Sequence, residues 1–139
     1  MNDNDRIRLI ILYQYYGALF DGQRGRIDQN SELKDIPYAT INANLVWLLD
    51  KGLINGQKRY ADDGLVHVLS IDITASGMDI VEKILNQSLT ALDQNITSEI
   101  NKESTIDRKF NKLYKISVKA EPVFNILINA TGMILSSLR

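Results

Sequence analysis

Apolar positions fall into blocks whose spacing changes along the chain, and each change marks an element. From Asp5 to Phe20, Ile, Leu and Tyr dominate, which predicts a core helix with Asp5 as its cap and Asp21-Gly22 as its stop. The polar, glycine-containing segment GQRGRIDQ follows, and Asn30-Ser31 then offers caps for a short second helix around Glu32 to Ile36, broken by Pro37. Pro37 suits the first turn of a third helix, in which Ile41, Leu45 and Leu48 repeat at i, i+4, i+7 and make one buried stripe with Leu49 at its edge. Gly52 is the natural C-terminal cap of that helix. LINGQKRY, the turn ADDG and LVHVLSIDI, with apolar positions alternating toward Ile73, predict a β-hairpin. TASGMDIVEKIL then opens another helix, capped by Thr74 or Ser76.

Beyond the hairpin the period stays helical. Val81, Leu85, Leu89, Leu92, Ile96 and Ile100 follow one another at spacings of 4, 4, 3, 4 and 4. That stripe predicts one helix from Met78 to Lys102, about 37 Å long, whose far half needs a second surface such as a two-fold partner. From Thr105 to Ala120, Arg108, Lys112, Lys115 and Lys119 recur on one helical face, opposite Ile106, Phe110, Leu113 and Tyr114. Ser104 with Asp107 resembles a capping box at its start. The run VFNILINATGMILSSLR is apolar nearly all round and must be buried: at a subunit interface, against Tyr13, Tyr15 and Tyr16, or in a membrane. At about 16 residues and with two asparagines inside, it fits a membrane-spanning helix poorly.

Residues 37 to 59 resemble the x-x-x-V-x-x-x-L-x-x-L-x-x-x-G-L-V pattern of winged helix-turn-helix transcriptional regulators, through Ile41, Leu45, Leu48, Gly52, Leu53 and Ile54. The run ITASGMDIVE, residues 73 to 82, resembles the L-T-x-x-G helix start that follows the wing in the same superfamily. The resemblance covers about residues 5 to 85. It implies a mainly α fold with a small β-hairpin wing: a winged-helix domain over 1–83 and a helical extension over 84–139, the extension being the expected dimerisation region.

In that superfamily the third helix enters the major groove and the wing follows the backbone. The resemblance therefore places Ala39, Thr40, Asn42 and Ala43 near base edges, and Lys58, Arg59 and Tyr60 near phosphates. The outward face opposite the buried stripe is Ala39, Ala43 and Val46, flanked by Thr40, Asn42 and Trp47. It holds no Arg for a bidentate guanine contact, so base readout is lean. Asp62 and Asp63 at the wing tip oppose phosphate binding. Further backbone contacts are open to Arg24, Arg26 and Lys34, and to Arg108, Lys112, Lys115 and Lys119, each of which also reads as ordinary surface charge. Two alternatives stand beside DNA binding. One is a protein-protein interaction module using Val46, Trp47 and the two alanines; the other is peripheral membrane association through the C-terminal helices.

Charge and composition narrow the choice. The formal net charge is −1, so no global basic field advertises a polyanion partner. Residues 1–83 carry nine Lys and Arg against twelve Asp and Glu, whereas residues 84–139 carry seven against five. Positive charge is concentrated in the extension. With no cysteine, disulfides, thiolate zinc sites and cysteine nucleophiles are excluded. His67 is the sole histidine and has no evident triad partner, Asp62, Asp63 and Asp72 read as turn and strand residues, and GQRGR lacks the Walker lysine. No enzymatic activity, metal or cofactor is expected. The acidic start MNDNDR lacks the cations of a secretory signal, so a cytoplasmic protein is expected, with double-stranded DNA and a second copy of the chain as its partners.

Overall fold

The computed structural model describes residues 3–21 and 33–138. It is mainly helical with a small antiparallel sheet: α1 (Asp3–Asp21), α2 (Tyr38–Asp50), β1 (Ile54–Tyr60), β2 (Val66–Ile73), α3 (Ala75–Ala91), α4 (Gln94–Asn101), α5 (Ile106–Ser117) and α6 (Glu121–Ser136). Arg24 and Arg26, and the beginning of the expected second helix, lie outside the described residues. Its remaining part, residues 33–36, is a turn closed by Ile36 N–H donating to the Leu33 carbonyl at 3.1 Å, not a helix. Lys34 and Asp35 are exposed there, Leu33 is buried and Ile36 packs partly against the core, and Pro37 leaves too few residues for a helix to propagate.

The predicted stripe of α2 is buried as expected, with Ile41, Leu45 and Leu48 inside and Leu49 at the margin. The helix ends in a Schellman arrangement: Gly52 N–H donates to the Leu49 carbonyl and Leu53 N–H to the Leu48 carbonyl, each at 3.0 Å. That geometry requires a left-handed residue, and Gly52 supplies it at φ +73°. β1 and β2 pair antiparallel from Ile54 opposite Ile73 to Tyr60 opposite Val66, with one irregularity between Asn55 and Gly56. Thr74 then caps α3, its hydroxyl accepting from Gly77 N–H at 2.9 Å and donating to the Gly52 carbonyl at 2.6 Å. Gly77 is required here because a Cβ would lie 2.2 Å from the Leu53 carbonyl oxygen. The root of the hairpin and the start of α3 are thereby locked together.

Two expectations about the C-terminal half are corrected. The single helix from Met78 to Lys102 is broken into α3 and α4, because Leu92 turns extended (ψ 156°) and Asp93 caps the new helix by accepting from Ile96 N–H at 3.0 Å. The apolar spacing continues across the break, since α4 folds back onto α5 and buries Ile100 there. The suggested Ser104/Asp107 box does not form either: Thr105 occupies the cap position of α5 with no side-chain capping bond. α1 likewise begins at Asp3, before the expected cap Asp5.

The apolar α6 is buried within its own chain, against α1, α3 and α5, with Val123, Leu127, Ile128, Ala130, Thr131 and Leu135 inside. It needs no second copy to cover it. Tyr13 of α1 instead stacks on Tyr114 of α5, ring centroids 3.9 Å apart. One cluster of buried residues runs from Ile7 to Leu135, and residues 83 and 84 fall inside α3, so the described residues before and after that boundary share a single core.

Candidate functional site

Two surfaces carry the residues singled out by sequence, and they are built differently. The first is α2 with the hairpin. Three lateral links fasten the helix along the strands. At its start, the Tyr38 hydroxyl meets His67 Nδ1 at 3.2 Å, with the two rings stacked, and His67 Nε2 faces Asp63 Oδ2 at 2.9 Å. In its middle, the Asn42 carboxamide donates to the Val66 carbonyl and accepts from Val68 N–H at 3.1 Å. At its end, Asp50 Oδ1 holds Lys58 Nζ at 2.6 Å.

The Asn42 contact has the pattern of a missing strand. Val66 and Val68 are two apart on β2, so their backbone groups face the same way, toward the edge that β1 leaves open. One carboxamide fills that edge as a neighbouring peptide would. Asn42 is accordingly 4% exposed, and its expected position on the outward flank beside bases is corrected: its polar atoms are already spent on β2. Asn44, also buried, accepts from Arg8 Nε at 2.9 Å and ties α2 back to α1. Arg8 lies 3.9 Å above the Trp47 ring, which covers much of that indole. Burial lowers the Arg8 pKa, with Asp5 acting in the opposite direction.

The surface left to solvent on this unit is small and weakly charged. Ala39 and Ala43 are exposed, and Thr40, Val46 and Trp47 are half-buried. Lys58, Arg59 and Tyr60 stand on the distal half of β1, exposed on both faces, with Tyr60 at 77%. Leu65 and Leu69 of the hairpin and Tyr38 are further exposed apolar groups. The Lys58 ammonium is raised above its ordinary pKa chiefly by its hydrogen bond from Lys58 to Asp50. Asp63 is held below the usual carboxylate range, first by the Leu65 N–H (2.9 Å to Oδ1) and then by His67. Sequence reasoning missed Tyr38, Asn42 and Asp50 as fasteners of the hairpin, because their partners lie across a turn and no local spacing reports them.

The second surface is α5 with the turn that follows it: the helix expected from Thr105 to Ala120 ends at Ser117, so Lys119 stands in the turn beyond it. Phe110, Leu113, Tyr114 and Ser117 are buried, which leaves the opposite face as the sequence periodicity predicts. Arg108, Lys115 and Lys119 are exposed, and no ion pair or hydrogen bond among the described residues engages them. Lys112 is half-buried and drawn toward Glu99 (3.5 Å) and Glu103 (3.9 Å). Glu99 is pushed below its ordinary pKa by Lys102, bonded at 2.7 Å, and further by Lys112. The four cations, with Glu103 and Asn111, wall an open depression of about 490 Å³. Lys34 is exposed in the turn before α2.

Among the described residues, no group of three or more His, Cys, Asp or Glu is arranged to hold a metal ion. No described helix is long and apolar enough to cross a membrane. Comparison with protein-family models, with curated proteins and with solved structures returned no match.

Proposed function

We propose that this chain is a winged-helix protein that binds double-stranded DNA, acting as a homodimeric transcriptional regulator. The observation that carries the reading is the clamping of α2 to β2 through Asn42, which makes helix and hairpin one body with Ala39, Thr40, Ala43, Arg59 and Tyr60 on its outer side. Such a body presents a helix to a groove and a strand to the flanking backbone together. Base selection is shallow, limited to methyl contacts from Ala39 and Ala43 and a hydroxyl from Thr40. Most of the phosphate attraction comes from Arg108, Lys112 and Lys115 on α5 and Lys119 in the turn after it, with Arg59 and Lys58 contributing from the wing. Dimerisation through residues 84–139 is retained in the proposal, and the exposed apolar groups Val118 and Met133 support it.

The test is binding to random duplex DNA across a salt series. Each phosphate contact adds about 0.9 to the salt slope, so changing Arg108, Lys112, Lys115 and Lys119 together to Gln should flatten it by about 3 to 4. Changing Arg59 to Ala should remove about one more. Absence of binding at low salt would overturn the reading. Light scattering on the full chain tests the dimer, and a monomeric mass sinks that part.

A second reading is favoured by one specific feature. Tyr38, Tyr60, Leu65 and Leu69 are exposed around the alanines of α2 while Asp50 neutralises Lys58, a mixture suited to a protein partner. It predicts no salt slope and a partner contact abolished by Tyr60→Ala.

A further inference from the structure

A cleft of about 520 Å³ opens where α1, α5 and α6 meet, away from both surfaces described above except for the shared Lys119. Its floor is apolar: Ile10 and Tyr114 are almost fully buried, and Phe124 is half-buried beside them. Its rim carries Arg6, Lys119 and Glu121. The size falls within the range that takes a small organic ligand, and an apolar floor with a few polar groups at the edge is the usual composition of such sites.

Charge decides which ligand. Arg6 is half-buried, yet no hydrogen bond or ion pair among the described residues engages its guanidinium, and the same holds for Lys119. α6 begins at Glu121, in the wall of the cleft, and its cap residue Ala120 offers no side chain to the first N–H groups. Pro122 has no N–H, and the Val123 and Phe124 N–H groups both donate to the Ala120 carbonyl at 3.0 Å, so this helix start supplies little to an anion and the side chains must hold it. The hydroxyl and backbone donors of the wall are already spent, so Arg6 and Lys119 are the groups left to hold an anion. The Ser117 hydroxyl and Val118 N–H both donate to the Tyr114 carbonyl, and Lys119 N–H donates to the Ile116 carbonyl. Glu121 is the single opposing charge, which leaves the rim with a net +1 from these three side chains.

We propose that this cleft binds a small organic monoanion with an apolar body, an aromatic or medium-chain carboxylate. Arg6 takes the carboxylate as a planar two-pronged donor, Lys119 adds a second cation, and the body lies on Ile10, Tyr114 and Phe124. The inference does not rest on DNA binding: it shares only Lys119 with the phosphate contacts proposed above and involves neither α2 nor the hairpin.

Calorimetric titration of the full chain, without DNA, with 2-naphthoate and with its uncharged amide tests it. The acid should bind about tenfold or more tightly than the amide, the difference a hydrogen-bonded charge supplies. Arg6→Gln should erase that preference with the amide's affinity unchanged, and Glu121→Gln, which removes the opposing charge, should tighten the acid. Equal affinity for acid and amide overturns the proposal, as does an acid affinity indifferent to both substitutions. Light scattering on the same samples covers the remaining occupant: a dimer that Arg6→Gln dissociates and naphthoate leaves intact assigns the cleft to a second copy, and the proposal fails.

Discussion

The α2–hairpin unit and the α5 face each offer cations to solvent, but their surroundings differ. On the hairpin, Lys58 is bonded to Asp50, and Arg59 stands beside a tip bearing Asp62 and Asp63. On α5 and the turn after it, Arg108, Lys115 and Lys119 are unengaged among the described residues, and of the four predicted cations only Lys112 meets carboxylates. The α2–hairpin unit, to which the proposal gives base contact, is thus locally acidic, while the unpaired positive charge sits on and just after α5. Shape and attraction are divided between two parts of one core, and each can be altered without the other.

The largest expected effect comes from the root of the hairpin. Gly77→Ala places a Cβ 2.2 Å from the Leu53 carbonyl oxygen, so urea unfolding should show a loss of about 3 kcal/mol or more. Asn42→Ala leaves the Val66 carbonyl and Val68 N–H without their partner and should destabilise by about 2 kcal/mol, with amide exchange accelerated in β2 rather than in α5. Uniform exchange in both would mean that the two regions are not separable. Next comes Asp50→Asn, which releases Lys58; on the DNA reading it steepens the salt slope by about 0.9. If it leaves the slope unchanged, Lys58 does not reach phosphate. The smallest effect is electrostatic. Asp63 has a folded pKa below its ordinary 3.8, so its contribution is complete above that pH and disappears as pH falls through the folded value. Thermal melts of Asp63→Asn and the parent chain should differ slightly near neutrality and converge in acid.

Much of the α2–hairpin unit was legible in the sequence because its signals are local. Ile41, Leu45 and Leu48 mark one face, Gly52 ends the helix, and Thr74 caps the next one three residues before the N–H it accepts. The face of α5 was equally legible, since periodicity alone separates Phe110 and Leu113 from Arg108 and Lys115. What escaped depends on contacts distant in sequence. Asn42 looks like a polar flank residue until β2, more than twenty positions later, is brought beside it. The break at Leu92 hides inside an apolar rhythm that two successive helices happen to continue, although Asp93 followed by Ile96 was a visible capping cue. For α6 the composition demanded burial but could not choose among faces; in the structure the cover comes from α1, α3 and α5, with Gly132 facing Asp5 of α1.

That approach has a consequence for the order in which the molecule forms. α1 lies against α6 across nearly the whole described chain, with a Cβ at Gly132 only 3.0 Å from Asp5 Oδ2. At roughly 5–20 residues per second, synthesis separates the two helices by on the order of ten seconds. During that interval the buried residues of α1, Ile7, Leu9, Ile10 and Ile11 among them, lack the cover that α6 adds to their helix, so apolar surface stays open to non-native contacts until α6 is made.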